Sequence, residues 1–365
     1  MTSRTTPAHP ARGRTRIRRA AAFLAAAGLT TALTSGCSTP DGGGVTLGKN
    51  WAGVRSFVVV DIAGTEAVAG VDPVTRTAEP LALVPRHADD DEVLAPQLTR
   101  LADGHWVLAV ARDGGKPDRL YRLDEKSHRL VEQGDHEALY AILPGRTLIA
   151  DAKGLDGAGP GAGAGTEVLV KDPKDWRVTR KVQVPGPLAY AASDPASDTV
   201  CLLTGSGRNT TVHSLELRTG KLTSRPGAAG TDVQGLACPG GSPVTAGVAA
   251  TGPGGGKPGA AAVTVAVTAA GTAVTASTGR VDDVQAGGGG TTAVAVAAGE
   301  RTEIVEVNTR TGEELRRVRL DHPGTLRALR PTDTGWLAYT QDAVSVVDRA
   351  GTVRTFALPG SYVAG

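Results

Sequence analysis

The residues best suited to chemistry here are imidazoles and clustered carboxylates. Acid–imidazole pairs occur at Asp135-His136 and Asp321-His322, carboxylate runs at Asp89-Asp90-Asp91-Glu92 and Asp282-Asp283, with His87 and Asp232 besides. Oxygen and imidazole donors of this kind can hold a divalent cation or a cationic ligand. Asp91, His136, Asp283, Asp321 and His322 are therefore the candidate ligand-binding residues. Asp also suits solvated turns, where its side chain bonds the local backbone, and that plainer reading stands beside the first. Catalytic templates fail. His136-Glu137 has no second His at residue 140, so there is no zincin helix. Gly252–Lys257 lacks phosphate-loop spacing, and no Gly-x-Ser-x-Gly elbow occurs. No catalytic residue is assigned, and no cofactor is expected unless the acidic set holds a divalent cation.

The elements that must position these residues are strands. After residue 45 short runs of Val, Leu, Thr and Ala close on Gly, Pro, Asp or Asn, without a helical stripe. One signature recurs: an apolar strand ending in a polar residue, a tight turn, then another strand. It starts at Asp72, Asp124, Asp172, Glu216, Thr268, Asn308 and Asp348, at separations of 52, 48, 44, 52, 40 and 40 residues. Seven units of 40–50 residues, each holding four strands, predict an all-β, seven-bladed β-propeller. The first unit lacks an opening strand. The chain end supplies it, because Leu358-Pro359-Gly360-Ser361-Tyr362-Val363-Ala364 parallels Val184-Pro185-Gly186-Pro187-Leu188-Ala189-Tyr190-Ala191, where unit three meets unit four. Ser361–Gly365 is thus expected to close the ring as blade one's innermost strand, removing exposed edges. The acids and imidazoles fall, on this parse, in links between blades on one face of the channel.

Charge and composition bound the partners. Of 365 residues 40% are hydrophobic and only 3% aromatic, and the formal net charge is +2. Up to Gly36 there are six Arg and no acid. Removing those six from the 39 Lys and Arg leaves 33 against 37 Asp and Glu, a net of −4, which excludes a basic nucleic-acid binder. The early Arg precede fourteen mostly apolar residues, Ala20–Leu33, too few to span a bilayer but right for the apolar core of a signal peptide. Thr34-Ser35-Gly36-Cys37 follows, then a Gly-rich run. This resembles the lipobox of bacterial lipoproteins, departing from it only in Thr34 where Leu is usual. The resemblance implies a signal peptide over residues 1–36, diacylglycerol on Cys37, and a lipidated flexible tether over 37–50 before a propeller over 51–365. The protein would then be exported and anchored by lipid to the outer face of the cell membrane. Arg outnumbers Lys 30 to 9 among abundant Ala, Gly and Thr, a composition that resembles actinobacterial proteins. Cys201 and Cys238 remain, and outside the cell they either pair as a disulfide or lie as buried thiols.

The turns Asn308-x-x-Thr311-Gly312 and Thr219-Gly220 give the blades a resemblance to YVTN-type and quinoprotein-like propellers of exported bacterial proteins. Quinone-cofactor relatives carry Trp-docking repeats and adjacent cysteines that this chain lacks. The expected function is a binding or scaffold module that contacts a small ligand or an envelope protein. The alternative is a propeller hydrolase or lyase, lactonase-like or streptogramin-lyase-like, with a metal-assisted site on the channel face.

Overall fold

The computed structural model of the chain describes residues 44–85, 96–101, 104–110, 112, 118–136, 139–142, 148–151, 165–172, 175–194, 196–249, 262–267, 271–320 and 325–365. These form seven four-stranded antiparallel sheets, with one 3₁₀ turn at Pro239–Gly241. Blade one comprises residues 56–83, blade two 97–136, blade three 139–184, blade four 188–226, blade five 231–278, blade six 280–320 and blade seven 328–357. In blade one the C-terminal strand Ser361–Ala364 pairs with the inner side of Ser56–Ile62, with Tyr362 opposite Val60 and Ala364 opposite Val59. The last residues of the chain thus supply the innermost strand of the first blade.

The middle strands explain why the sequence reads as it does. A strand sandwiched between two neighbouring blades buries both faces, so it is continuously apolar rather than alternating. Ser56–Ile62 (SFVVVDI) is the clearest case. Its alternate residues serve different interfaces: Phe57 and Val59 pack with Leu98, Trp106 and Leu108 of blade two, while Val58 and Val60 pack with Leu337, Tyr339 and Val344 of blade seven. Among the described residues seven hydrophobic clusters occur, each joining two consecutive blades, and one of them joins blade seven to blade one. Outer strands such as Val178–Val184 and Val353–Ala357 are largely solvent-facing.

All the signature turns connect a third strand to an outer strand. Apart from blade five, whose turn (268–270) lies outside the described residues, their fifth position, or fourth in blade seven, adopts a left-handed backbone. Gly220, Gly312 and Gly351 fill it at φ 76°, 76° and 83°, which glycine does without strain. Arg76, His128 and Trp176 hold the same place in blades one to three at φ 60°, 54° and 58°. Two of these non-glycines have packing roles. Trp176 is buried in the contact between blades two and three, and His128 stacks on Trp51 with ring centroids 4.9 Å apart. Trp51 belongs to the segment leading into blade one, where the Gly48 amide also donates to the Pro80 carbonyl at 2.8 Å.

Cys201, in blade four, and Cys238, at the end of blade five's innermost strand, form a disulfide with Cα atoms 5.5 Å apart. It lies in the apolar contact between those blades with Leu203, Val212, Val233 and Leu236. Constraining a loop of this length contributes roughly 2–4 kcal/mol.

Candidate functional site

The free edges of the innermost strands face the channel. Those of blades four (Leu188–Ser193), five (Thr231–Ala237), six (Arg280–Ala286) and seven (Ala328–Thr332) run side by side. In a meander of four strands, the signature turns lie on the face opposite the starts of the innermost strands. Near those starts is an open cleft of about 480 Å³, lined by Tyr190, Gln234, Arg280, Val281, Asp282, Thr325, Leu326 and Arg327.

Two lining residues owe their place to β-bulges. In blade five the register steps from Val233↔Gly247 to Gly235↔Ala246, leaving Gln234 as the extra residue. In blade six it steps from Val281↔Val296 to Asp283↔Ala295, leaving Asp282 extra. A bulge breaks the strict alternation of faces and re-aims one side chain. The two are stitched together, since Gln234 Oε1 accepts the Val281 amide at 3.0 Å. Gly235 permits this approach, because a side chain there would collide with Val284.

Asp282 is the electrostatic centre. Its side chain is only 2% exposed, and its Oδ1 accepts Arg280 Nε at 3.1 Å and Nη2 at 2.8 Å. Oδ2 is buried without a hydrogen bond of good geometry among the described residues, although the Leu326 amide is near enough to favour its charge weakly. Burial raises the Asp282 pKa. The Arg280 guanidinium opposes that shift and the Asp283 carboxylate adds to it. Arg327 is exposed, with a 3.3 Å bond from Nη2 to Gln341 Oε1.

Asp283, expected as a ligand group, has structural partners on both oxygens. Oδ1 accepts the Val284 amide at 2.8 Å and Gln285 Nε2 at 3.0 Å. Oδ2 accepts the Leu329 amide at 2.8 Å and lies 3.8 Å from Arg330 Nη1, bracing blade six against blade seven. Arg330 in turn donates to the carbonyl of Gly365, beside blade one's innermost strand. The acids assigned to links also sit differently: Asp232, Asp282 and Asp283 are inside innermost strands, and Asp135-His136 ends the outer strand of blade two. Asp91, Asp321, His322, His87 and Cys37 lie outside the described residues. Among the described residues no group of three or more His, Cys, Asp or Glu comes together to hold a metal ion. The structure thus brings Asp282, Gln234, Arg280 and Arg327 to one cleft. Of these the sequence singles out only Asp282, in the pair Asp282-Asp283.

No family model matches the chain, and no curated protein matches it. Solved structures share the fold. An acylaminoacyl peptidase from Pyrococcus horikoshii is similar at a TM-score of 0.51 and 10% identity, over 80% of this chain and 47% of that one. A prolyl endopeptidase is similar at a TM-score of 0.54 and 12% identity, over 86% and 49%. TolB from Acinetobacter baumannii aligns at a TM-score of 0.46 and 11% identity, over 76% and 66%. The chain spans about half the length of the two peptidases. At such identities the likeness is one of fold, and the fold is a β-propeller.

Proposed function

We propose that the protein is an exported lipoprotein, held by diacylglycerol on Cys37 to the outer face of the cell membrane, and that it binds a small ligand or an envelope-protein segment through the channel-face cleft. One observation carries the binding half: bulges in two adjacent innermost strands turn Gln234 and Asp282 into the cleft that Arg327 borders, and one Asp282 oxygen there has no well-formed hydrogen bond. Bulges next to binding sites re-aim side chains in this way. Concave sites with a few convergent polar groups are the usual small-ligand sites. The anchoring half rests on the lipobox-like run ending at Cys37.

Each half has its own test. The full chain expressed in a lipoprotein-processing bacterium should partition into detergent, and Cys37→Ser should leave it in the aqueous phase; a wild-type chain that stays aqueous overturns the anchor. A photo-crosslinking residue at position 190, in the cleft, should capture a partner that one at position 74, in a signature turn, does not. Equal capture at both positions, or none at 190, overturns the cleft.

A further inference from the structure

The lining of the cleft narrows the chemistry of what enters it, an inference that rests on reading the cleft as the binding site. Its charged lining residues are Arg280 and Arg327 against Asp282, an excess of one positive charge. Guanidinium forks match carboxylates geometrically, so that excess favours a carboxylate over a neutral ligand. Asp282 sets the second requirement. Its Oδ1 is held by Arg280, and its Oδ2 is buried and lacks a donor of good geometry among the described residues. A buried acceptor in that state gains from a ligand that brings an N–H.

Arg280 can act as the cover. Its side chain is 63% exposed, and among the described residues its hydrogen bonds both go to Asp282 Oδ1, the contact that swinging outward gives up. Val281 and Leu326, each about 5% exposed or less, add apolar floor, and the exposed ring of Tyr190 stands at the edge.

We propose that the cleft takes a carboxylate flanked by an N–H donor, the pattern shared by a free α-amino acid and the C-terminal residue of a peptide. Arg327 takes the carboxylate, Arg280 swings from Asp282 Oδ1 to join it, and the ligand's N–H replaces Arg280 as donor to the Asp282 carboxylate. A phosphate supplies no N–H for Asp282, and a neutral sugar leaves the two guanidinium groups unmatched.

Isothermal titration of the full chain with four probes tests this: N-acetyl-alanyl-alanine, its C-terminal amide, free alanine and N-acetylglucosamine. The acetylated acid should bind at least about tenfold more tightly than the amide, the usual worth of a charge-assisted hydrogen bond. Arg327→Ala should weaken the acid by a similar factor, and being on the surface it leaves folding intact. Asp282→Asn keeps the shape and should weaken it too. Alanine binding as tightly as the acetylated dipeptide points to a free amino acid, and weaker binding to a peptide end. Equal binding of acid and amide overturns the carboxylate requirement while the cleft survives as a site. Binding of N-acetylglucosamine alone does the same. No binding by any probe overturns both.

Discussion

Aspartate appears in two settings on opposite faces of the propeller, and the settings treat it differently. On the signature-turn face the third-strand terminal residue bonds its own turn. Asp72 Oδ1 accepts the Val74 and Thr75 amides, Asp124 takes the Lys126 amide and the Ser127 hydroxyl, and Asp348 takes the Ala350 and Thr352 amides. At Asp72 burial pushes the pKa up, but bonds from Thr75 and Val74 and the Arg55 charge outweigh it, and the net shift is downward. Bonds from Ser127 lower Asp124, and bonds from Thr352 lower Asp348. In the channel cleft Asp282 is buried with one oxygen poorly satisfied, and its pKa rises. Saturated carboxylates hold a fold together. One left wanting a donor at the wall of a cleft is a reason to look for a ligand.

The sharpest ways to break that contrast begin with the fastenings. Replacing Cys201 and Cys238 together by Ser should lower stability by roughly 2–4 kcal/mol in chemical denaturation while ligand binding persists. Asp72→Ala strips two amides of their acceptor and should cost about 1–2 kcal/mol, again with binding unchanged. Arg76→Gly should stabilise by about 1 kcal/mol, because it relieves a left-handed side chain at an exposed turn. Asp282→Asn should shift stability by about 1 kcal/mol or less, since the partner it abandons, Arg280, is exposed and stays hydrated.

The pH dependences of the two carboxylates should run in opposite senses. Asp72 titrates lower in the folded state than its ordinary 3.8, so its stabilisation is present above that value and fades as pH falls through the folded pKa. Asp282 titrates higher, so its charge is a penalty above the folded pKa, and the penalty disappears as pH falls toward 3.8. The advantage of Asp282→Asn over wild type should therefore be greatest near neutrality and shrink in acid. Denaturation curves at pH 7 and pH 4 check the sign. His213 adds a separate acid sensitivity. It is buried, with Nε2 on Thr204 Oγ1 and Nδ1 on Ser224 Oγ, both at 2.8 Å, and burial lowers its pKa below 6.5. Stability should fall as pH drops from about 6.5 through the folded pKa, and a His213→Gln chain should lack that phase.

What the sequence made legible was the part governed by short-range rules. The seven turns, the apolar middle strands and the pairing of Ser361–Ala364 in blade one all follow from turn chemistry and burial on two faces. The cleft was not legible, because a bulge inserts one residue without any change in composition. Under strict alternation Asp282 and Asp283 simply point to opposite faces. The extra residue in blade six instead turns Asp282 to the cleft while Asp283 braces Leu329 and Arg330. Arg327 gave no signal either, as a lone Arg in a link resembles any solvated cation. The cysteines stood 37 residues apart in different units, and only the packing of blade four on blade five brings their Cα atoms to 5.5 Å.

The most direct test of the two-face account is a crystal structure of the full chain soaked with N-acetyl-alanyl-alanine. The account predicts ligand density between Arg327 and Asp282, with Arg280 turned off Asp282 Oδ1. Density among the signature turns, or a ligand in the cleft with Arg280 still on Asp282 and no ligand N–H on either Asp282 oxygen, would contradict it.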